Sequence, residues 1–343
     1  MSTTDLSSLG WTSHFADQVA SDDTLTPARV AEVQRSHLTV LPGQLRLLAP
    51  EGTGRFAVGD WVLHDGATAL RRLDPVTEIT RKVAGDESAQ QLIVANVDTL
   101  GIVTSCNADF SVARLERYLT VALTAGCQPL VILTKADQAD HPEDYLRDAQ
   151  GLSPLVTAMA LNAKDPEEVA RLRPWCGPGQ TLALVGSSGV GKTTIQNTLT
   201  GQVAATQDIR EDDARGRHTT TARALRPTLA GGCLIDTPGM RELGMIEAAE
   251  GLAQVFADIE ALAAQCRFRD CAHEGEPGCA VQAAIASGEI ELDRFRRYQK
   301  LEREDRLHTE ALHERRARTR AWAKATAQGS ARAKSKRRGP DKS

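Results

Sequence analysis

Apolar residues in this chain change their spacing twice, and the changes divide it into three textures. From Arg29 to about Val83 they fall in short runs separated by turn signals. The runs are Val30-Ala31-Glu32-Val33, Leu38-Thr39-Val40, Leu45-Arg46-Leu47-Leu48 and Trp61-Val62-Leu63, with Pro42-Gly43, Gly52-Thr53-Gly54 and Asp65-Gly66 between them. This spacing predicts a small β-domain, of which an oligonucleotide-binding (OB) barrel is the natural form. From Leu92 to about Met245 the runs become continuous: Leu100-Gly101-Ile102-Val103, Leu130-Val131-Ile132-Leu133, Leu155-Val156, Leu182-Ala183-Leu184-Val185 and Leu234-Ile235. Strands with no polar face are buried on both sides, and the stretches Val112 to Ala125 and Thr193 to Leu199 between them read as helices. The middle of the chain is therefore expected to be an α/β domain with a mainly parallel sheet. Beyond Glu247 the pattern turns helical, with a long charged helix expected from about Leu292 to Ala325.

The expected divisions are a weakly ordered lead-in (1–28), an OB barrel (29–88), the α/β domain (89–246), a helical domain (247–310) and a basic helix end with a disordered tail (311–343). At 343 residues there is room for these separate cores, and 41% apolar with 25% charged residues is the composition of a soluble globular protein. No apolar run approaches the roughly 20 residues of a membrane span. The polar N-terminus carries no secretory signal, so a cytoplasmic protein that acts as a monomer is expected. Three of the seven cysteines crowd together with His273, which points to a metal site and away from a disulfide framework. Cys106, Cys127, Cys176 and Cys233 lie near apolar runs and are expected in the core.

The net charge of −4 hides a basic tail. From Arg315 onward come Arg316, Arg318, Arg320, Lys324, Arg332, Lys334, Lys336, Arg337, Arg338 and Lys342, against Asp341 alone. A basic arm on a mildly acidic body predicts contact with nucleic acid. The barrel segment has few aromatics, so Arg46, Arg55, Arg71, Arg72, Arg81 and Lys82 are expected to follow phosphates there in place of base stacking.

Three motifs carry chemistry, and each starts where an apolar run ends. Gly186-Ser187-Ser188-Gly189-Val190-Gly191-Lys192-Thr193 has the spacing of a phosphate loop, whose glycines let backbone N–H groups turn onto phosphates at a helix N-terminus. Lys192 would reach the β- and γ-phosphates, and the hydroxyl of Thr193 or of Thr194 after it would ligate Mg²⁺. Asp236-Thr237-Pro238-Gly239 would add a carboxylate to the Mg²⁺ shell and the Gly239 N–H to the γ-phosphate. Thr134-Lys135-Ala136-Asp137 supplies a carboxylate able to accept from guanine N1 and N2, with the Lys135 stem along the base. Thr157-Ala158, after Leu155-Val156, is expected to place a backbone N–H at guanine O6.

Between the phosphate loop and Asp236 lies Gly216-Arg217-His218-Thr219-Thr220-Thr221, where a switch threonine, best placed as Thr220, would join Mg²⁺ in the triphosphate state. Met240 stands where many such sites carry a glutamine that orients water. A thioether cannot do that, so hydrolysis is expected to be slow unaided, with His218 the candidate substitute. Cys266-x4-Cys271-x-His273-x5-Cys279 offers four soft ligands, enough for one closed structural Zn²⁺ site.

The order of these motifs is rotated. The base-reading tetrad precedes the phosphate loop, and Asp236 comes last. On these residues the chain resembles the ribosome small-subunit-dependent GTPase A (RsgA) family of circularly permuted GTPases, over about residues 29 to 300. That resemblance implies an N-terminal OB-fold barrel, a circularly permuted P-loop GTPase domain and a C-terminal zinc-binding domain. It also implies late maturation of the small (30S) ribosomal subunit, with rRNA as partner and GTP hydrolysis to GDP linked to release. Two departures from the family pattern stand out. Thr134 replaces a commoner Asn and is expected to weaken a supporting contact, and Thr193-Thr194 replaces Ser-Ser. The competing reading, kept open by Met240, is a nucleotide-gated rRNA-binding scaffold with negligible turnover.

Overall fold

A computed structural model describes residues 6–83, 86–202, 223–237, 245, 247–310, 313, 314 and 317. His218, Thr219, Thr220, Thr221, Gly239 and Met240 lie outside the described residues, as does the tail beyond 317. The barrel is built from β1 (Thr26–Val33), β2 (His37–Leu41), β3 (Leu45–Leu48), β4 (Trp61–His64) and β5 (Ala69–Arg72), all antiparallel neighbours in the order β3-β2-β1-β4-β5. An isolated parallel bridge from Leu48 to Thr68 joins the two outer edges. A three-strand meander whose last strand meets the fifth in parallel is the closure of an OB fold. Its own core is Ala28, Val30, Leu38, Val40, Leu47, Phe56, Val62 and Ala69, drawn from alternate positions of the strands.

The lead-in is the first correction. Residues 6–23 include a short helix α1 (Ser13–Ala16), and Leu9 and Phe15 are buried. Trp11 and Phe15 pack on Trp61 of β4, with ring centroids 4.8 and 5.9 Å from the Trp61 ring. Burying each such ring contributes about 1.5–3 kcal/mol, which is enough to order a segment of poor intrinsic propensity. A hairpin of β6 (Glu78–Val83) and β7 (Asp86–Ala95) then leads into the sheet, so the expected boundary at 88 falls inside a strand.

The central sheet contains β8 (Thr99–Ser105), β9 (Gln128–Thr134), β10 (Thr157–Ala160), β11 (Thr181–Val185), β12 (Ala224–Pro227) and β13 (Cys233–Asp236). Its order is β10-β9-β8-β11-β13-β12, parallel except for the edge strand β12. Helices α2 (Val112–Thr124), α3 (Pro142–Gln150), α4 (Pro166–Ala170) and α5 (Lys192–Thr200) cover it. The four scattered cysteines are buried, and burial pushes the Cys127 thiol up to about 12 and Cys176 to about 11.

The C-terminal part consists of α6 (Ala249–Val255), α7 (Ala257–Ala263), α8 (Ala280–Ser287) and a helix α9 described over residues 292–310. α6 lies directly on α2. A Cβ at Gly251 would stand 2.3 Å from Thr124 Oγ1 and 2.5 Å from the Thr120 carbonyl, so only glycine permits this approach. Among the described residues no helix is long and apolar enough to cross a membrane.

Candidate functional site

Parallel registers put the motif-bearing strand ends on one edge of the sheet. Ser105 pairs with Thr134, Ile102 with Val185, and Leu184 with Asp236. That carboxyl-end edge is where ligands bind in open α/β sheets. The loop after β11 turns at Gly186, whose φ is 139°. A Cβ there would meet the Val103 carbonyl of β8 at 2.1 Å, so the loop can hug the sheet only with glycine. Gly189 and Gly191 also have positive φ, at 77° and 95°. Val190 is buried among the sheet side chains, which anchors the loop from beneath, while Ser188 and Gly189 are exposed. Gly191 is the N-cap of α5, so Lys192, Thr193 and Thr194 form its first turn.

Lys192 folds back over the loop, its Nζ donating to the Gly186 carbonyl at 2.8 Å and the Ser187 carbonyl at 2.5 Å. Asp236 ends β13 beside it. Burial pushes the Asp236 carboxyl up, and the charges of Lys192 and Arg226 pull it down less strongly. A half-buried acid beside the loop suits a hard cation such as Mg²⁺. Thr237 fixes the strand end by donating to the Leu184 carbonyl at 2.5 Å.

Thr134 is fully buried at the end of β9. Its buried hydroxyl donates to the Val190 carbonyl at 2.6 Å, tying the base-reading strand to the phosphate loop. Lys135 follows in the left-handed region with φ 56°, a turn that leaves Asp137 exposed at the site edge.

Thr157 and Ala158 are misplaced by the sequence reading. They open β10 and pair with Leu130 and Val131, at the beginning of β9 and away from the ligand edge. The loop that does emerge there is Leu161-Asn162-Ala163-Lys164. It is held by Asn162, whose N–H donates to Glu168 and whose Oδ1 accepts from the Lys164 N–H, both at 2.9 Å. Ala163 lies next to Gly191, 3.4 Å from where its Cβ would be. The unused signal was the Asn-Ala-Lys turn itself. A second missed residue is Arg114 of α2, whose Nη1 donates to Ser187 Oγ.

Cys266, Cys271, His273 and Cys279 converge, with one ligand atom from each lying within 4.8 Å of the others. The Sγ atoms of Cys266 and Cys279 are 3.9 Å apart, and His273 Nδ1 is 3.6 and 3.3 Å from them. A tetrahedral zinc ion sets edges of roughly 3.8 Å between sulfurs and roughly 3.5 Å between sulfur and nitrogen, so the donor set fits. Burial works against ionising Cys266, but bonds from the Val281 and Ala280 N–H groups at the start of α8 hold its thiol below the ordinary value. Burial and the neighbouring thiols push Cys271 up to about 12. Ionising all three thiols together calls for a cation.

The sequence profile described as RsgA GTPase matches residues 74–246. The chain is 50% identical over 315 residues to the small ribosomal subunit biogenesis GTPase RsgA of Mesorhizobium japonicum, covering 89% of this chain and 91% of that protein. It is 46% identical to the small ribosomal subunit biogenesis GTPase RsgA 2 of Vibrio parahaemolyticus, over 94% of this chain and 91% of that protein. Among solved structures, YjeQ from Thermotoga maritima superposes with a TM-score of 0.60 at 23% identity, over 81% of this chain and 97% of that one. YloQ, described as a circularly permuted GTPase, does so with 0.55 at 21%, over 87% and 98%. With the rotated motif order, the shared sheet edge and these likenesses together, the chain belongs to the RsgA family of circularly permuted GTPases.

Proposed function

We propose that this GTPase acts in the assembly of the small ribosomal subunit, gripping its rRNA in the GTP state and leaving after hydrolysis. The observation that carries this reading is the joining of Thr134 to the phosphate loop through the Val190 carbonyl, because it unites the base-reading and phosphate-binding motifs in one site. Asp137 and Lys135 select guanine. The Asn162-Ala163-Lys164 turn takes the place proposed for Thr157 and Ala158 beside the base. Backbone N–H groups of residues 187–193 hold the phosphates, and Lys192 leaves the Gly186 and Ser187 carbonyls for the β- and γ-oxygens. Water attacks the γ-phosphorus, the bond to the bridging oxygen breaks, and GDP and phosphate result. Mg²⁺ bound by Thr193, Thr220 and Asp236 would neutralise charge on the phosphates. The Gly239 N–H would serve the γ-phosphate, and His218 would serve the attacking water in place of the glutamine that Met240 replaces.

One zinc ion at Cys266, Cys271, His273 and Cys279 fixes the turn between α7 and α8, a region with little core of its own. The barrel, the helical part and the basic tail are the RNA-facing units, and the likeness to relatives named for small-subunit biogenesis supports that partner. GTP turnover measured with and without purified small subunits tests the reading. Strong stimulation is expected, and equal rates would return the chain to the alternative of a nucleotide-gated scaffold.

A further inference from the structure

Arg114 lies in the first turn of α2 and reaches the phosphate loop 73 positions away in sequence. Its guanidinium is set before it gets there. Nη1 donates to Asp109 Oδ1 at 3.1 Å, and Nη2 to the Asp109 carbonyl at 2.6 Å. Asp109 is itself placed by Asn107, whose Oδ1 accepts from the Asp109 N–H and from the Ser105 hydroxyl, both at 2.9 Å. Ser105 ends β8, the strand beside the phosphate loop's own strand. The remaining donor of Nη1 goes to the Ser187 hydroxyl. One loop residue is thus gripped twice, by Arg114 at its hydroxyl and by Lys192 at its carbonyl.

The two grips cannot both survive nucleotide binding. The ammonium of Lys192 is drawn to the phosphates, which takes it off the Ser187 carbonyl. The guanidinium is tethered to Asp109 and approaches from the helix side, so it has no reason to move. We infer that Arg114 is a positioning residue of the phosphate loop. It keeps Ser187 in place while Lys192 exchanges loop carbonyls for phosphate oxygens. Arginine suits the task because its planar fork can serve Asp109 twice and Ser187 once without changing shape, whereas an ammonium has no such geometry. This inference rests on reading the loop as a nucleotide site.

The test uses the full chain with Mg²⁺, as Arg114→Ala, Arg114→Lys, Ser187→Ala and the Arg114→Ala/Ser187→Ala double variant. Dissociation constants for GTP and for GDP are measured on each, with kcat and the melting temperature. Arg114→Ala is expected to weaken GTP and GDP together by about tenfold, the scale of one lost charge-assisted hydrogen bond. Ser187→Ala should do the same, the double variant should be no worse than the weaker single one, and lysine should restore part of the loss. Additive losses would mean that Arg114 does not act through Ser187. A lower melting temperature with unchanged nucleotide affinity would reduce it to a structural residue. Loss of GTP affinity alone, with Ser187→Ala silent, would place Arg114 on the γ-phosphate instead. Failure of the unaltered chain to bind either nucleotide would refute the site reading, and the proposed role of Arg114 with it, whereas loss in the variants alone bears on Arg114.

Discussion

The central sheet is joined to its neighbours by two unlike seams. On the barrel side the seam is apolar: Leu9, Phe15, Trp61, Leu63, Ile79, Ile93 and Val94 share one core with the sheet residues Leu100, Ile102 and Val185. Within it lies the fully buried Arg29, which donates to the carbonyls of Leu9, Gly59 and Asn96. Those three carbonyls come from the lead-in, the barrel and the entry to the sheet. On the helical side the same apolar core continues through Leu119, Leu252, Phe256 and Leu301, and ion pairs between α2 and α9 are added to it. Buried Glu116 accepts from Arg294 at 3.2 Å and Arg297 at 2.6 Å, and Arg117 meets Glu304 through two bonds of 2.5 Å.

The difference is that the helical joint adds directional ion pairs to its apolar core, whereas the barrel joint is dominated by apolar packing. Apolar packing is non-directional and close to salt-independent, so barrel and sheet should move as one body. Ion pairs can exchange partners, and a polar seam can hold more than one register. The segment after Asp236 returns to the described chain at this polar seam. His308 of α9 donates to the Met245 carbonyl at 2.9 Å, Asp305 accepts from the Ala248 N–H at 2.8 Å, and Thr309 accepts from the Glu247 N–H at 2.9 Å. The chain that resumes after Asp236 is thus held against α9.

The largest expected effect is at Arg29. Arg29→Ala strands the buried carbonyls of Leu9 and Asn96, while that of Gly59 keeps the Asn96 side-chain amide, and a loss of roughly 2–5 kcal/mol is expected from about 1–3 kcal/mol for each unsatisfied group with partial relaxation. Urea unfolding followed by tryptophan fluorescence reads this directly, because Trp11 and Trp61 sit at that seam. A variant in which the barrel alone melts would break the idea of a single body. Glu116→Ala comes next. It takes the carboxylate from Arg297 and leaves Arg294 with Asp258 and the Leu152 and Val255 carbonyls, for a loss of about 3 kcal/mol, while Glu116→Leu should cost less because its side chain fills the cavity that alanine leaves.

Acid should separate the seams with a smaller effect. Burial opposes the charged forms of Glu304 and Asp258, but bonds from Arg117 and Arg294 outweigh it and hold both carboxyls below their ordinary values. Their contribution is therefore complete above the ordinary carboxylate range and lost as pH falls through the depressed folded values, while Glu116, which burial holds above its ordinary value, offsets part of that loss. Hydrogen exchange followed from pH 6 downward should show α9 opening before the barrel strands. Simultaneous opening would mean that the two seams are not energetically distinct.

How much of this was legible in the chain follows the same division. Strands buried on both faces announce themselves as apolar runs, so the sheet and its motif-bearing ends could be read directly, and so could the convergence of Cys266, Cys271, His273 and Cys279. β10 is read two residues early because Leu155-Val156 is the more apolar pair, yet Leu155 is half exposed and the strand begins at Thr157. Trp11 and Phe15 are isolated apolar residues with no period, and nothing local says that they fill the barrel–sheet joint. Arg114 and Ser187, or Arg117 and Glu304, meet only after folding. Side-chain pairs of that separation leave no pattern in sequence.

The most direct test of nucleotide-controlled grip is co-sedimentation of the full chain with purified small subunits, comparing a non-hydrolysable GTP analogue with GDP. The chain should pellet with the subunits in the analogue and stay in the supernatant with GDP; equal retention in both would contradict release on hydrolysis.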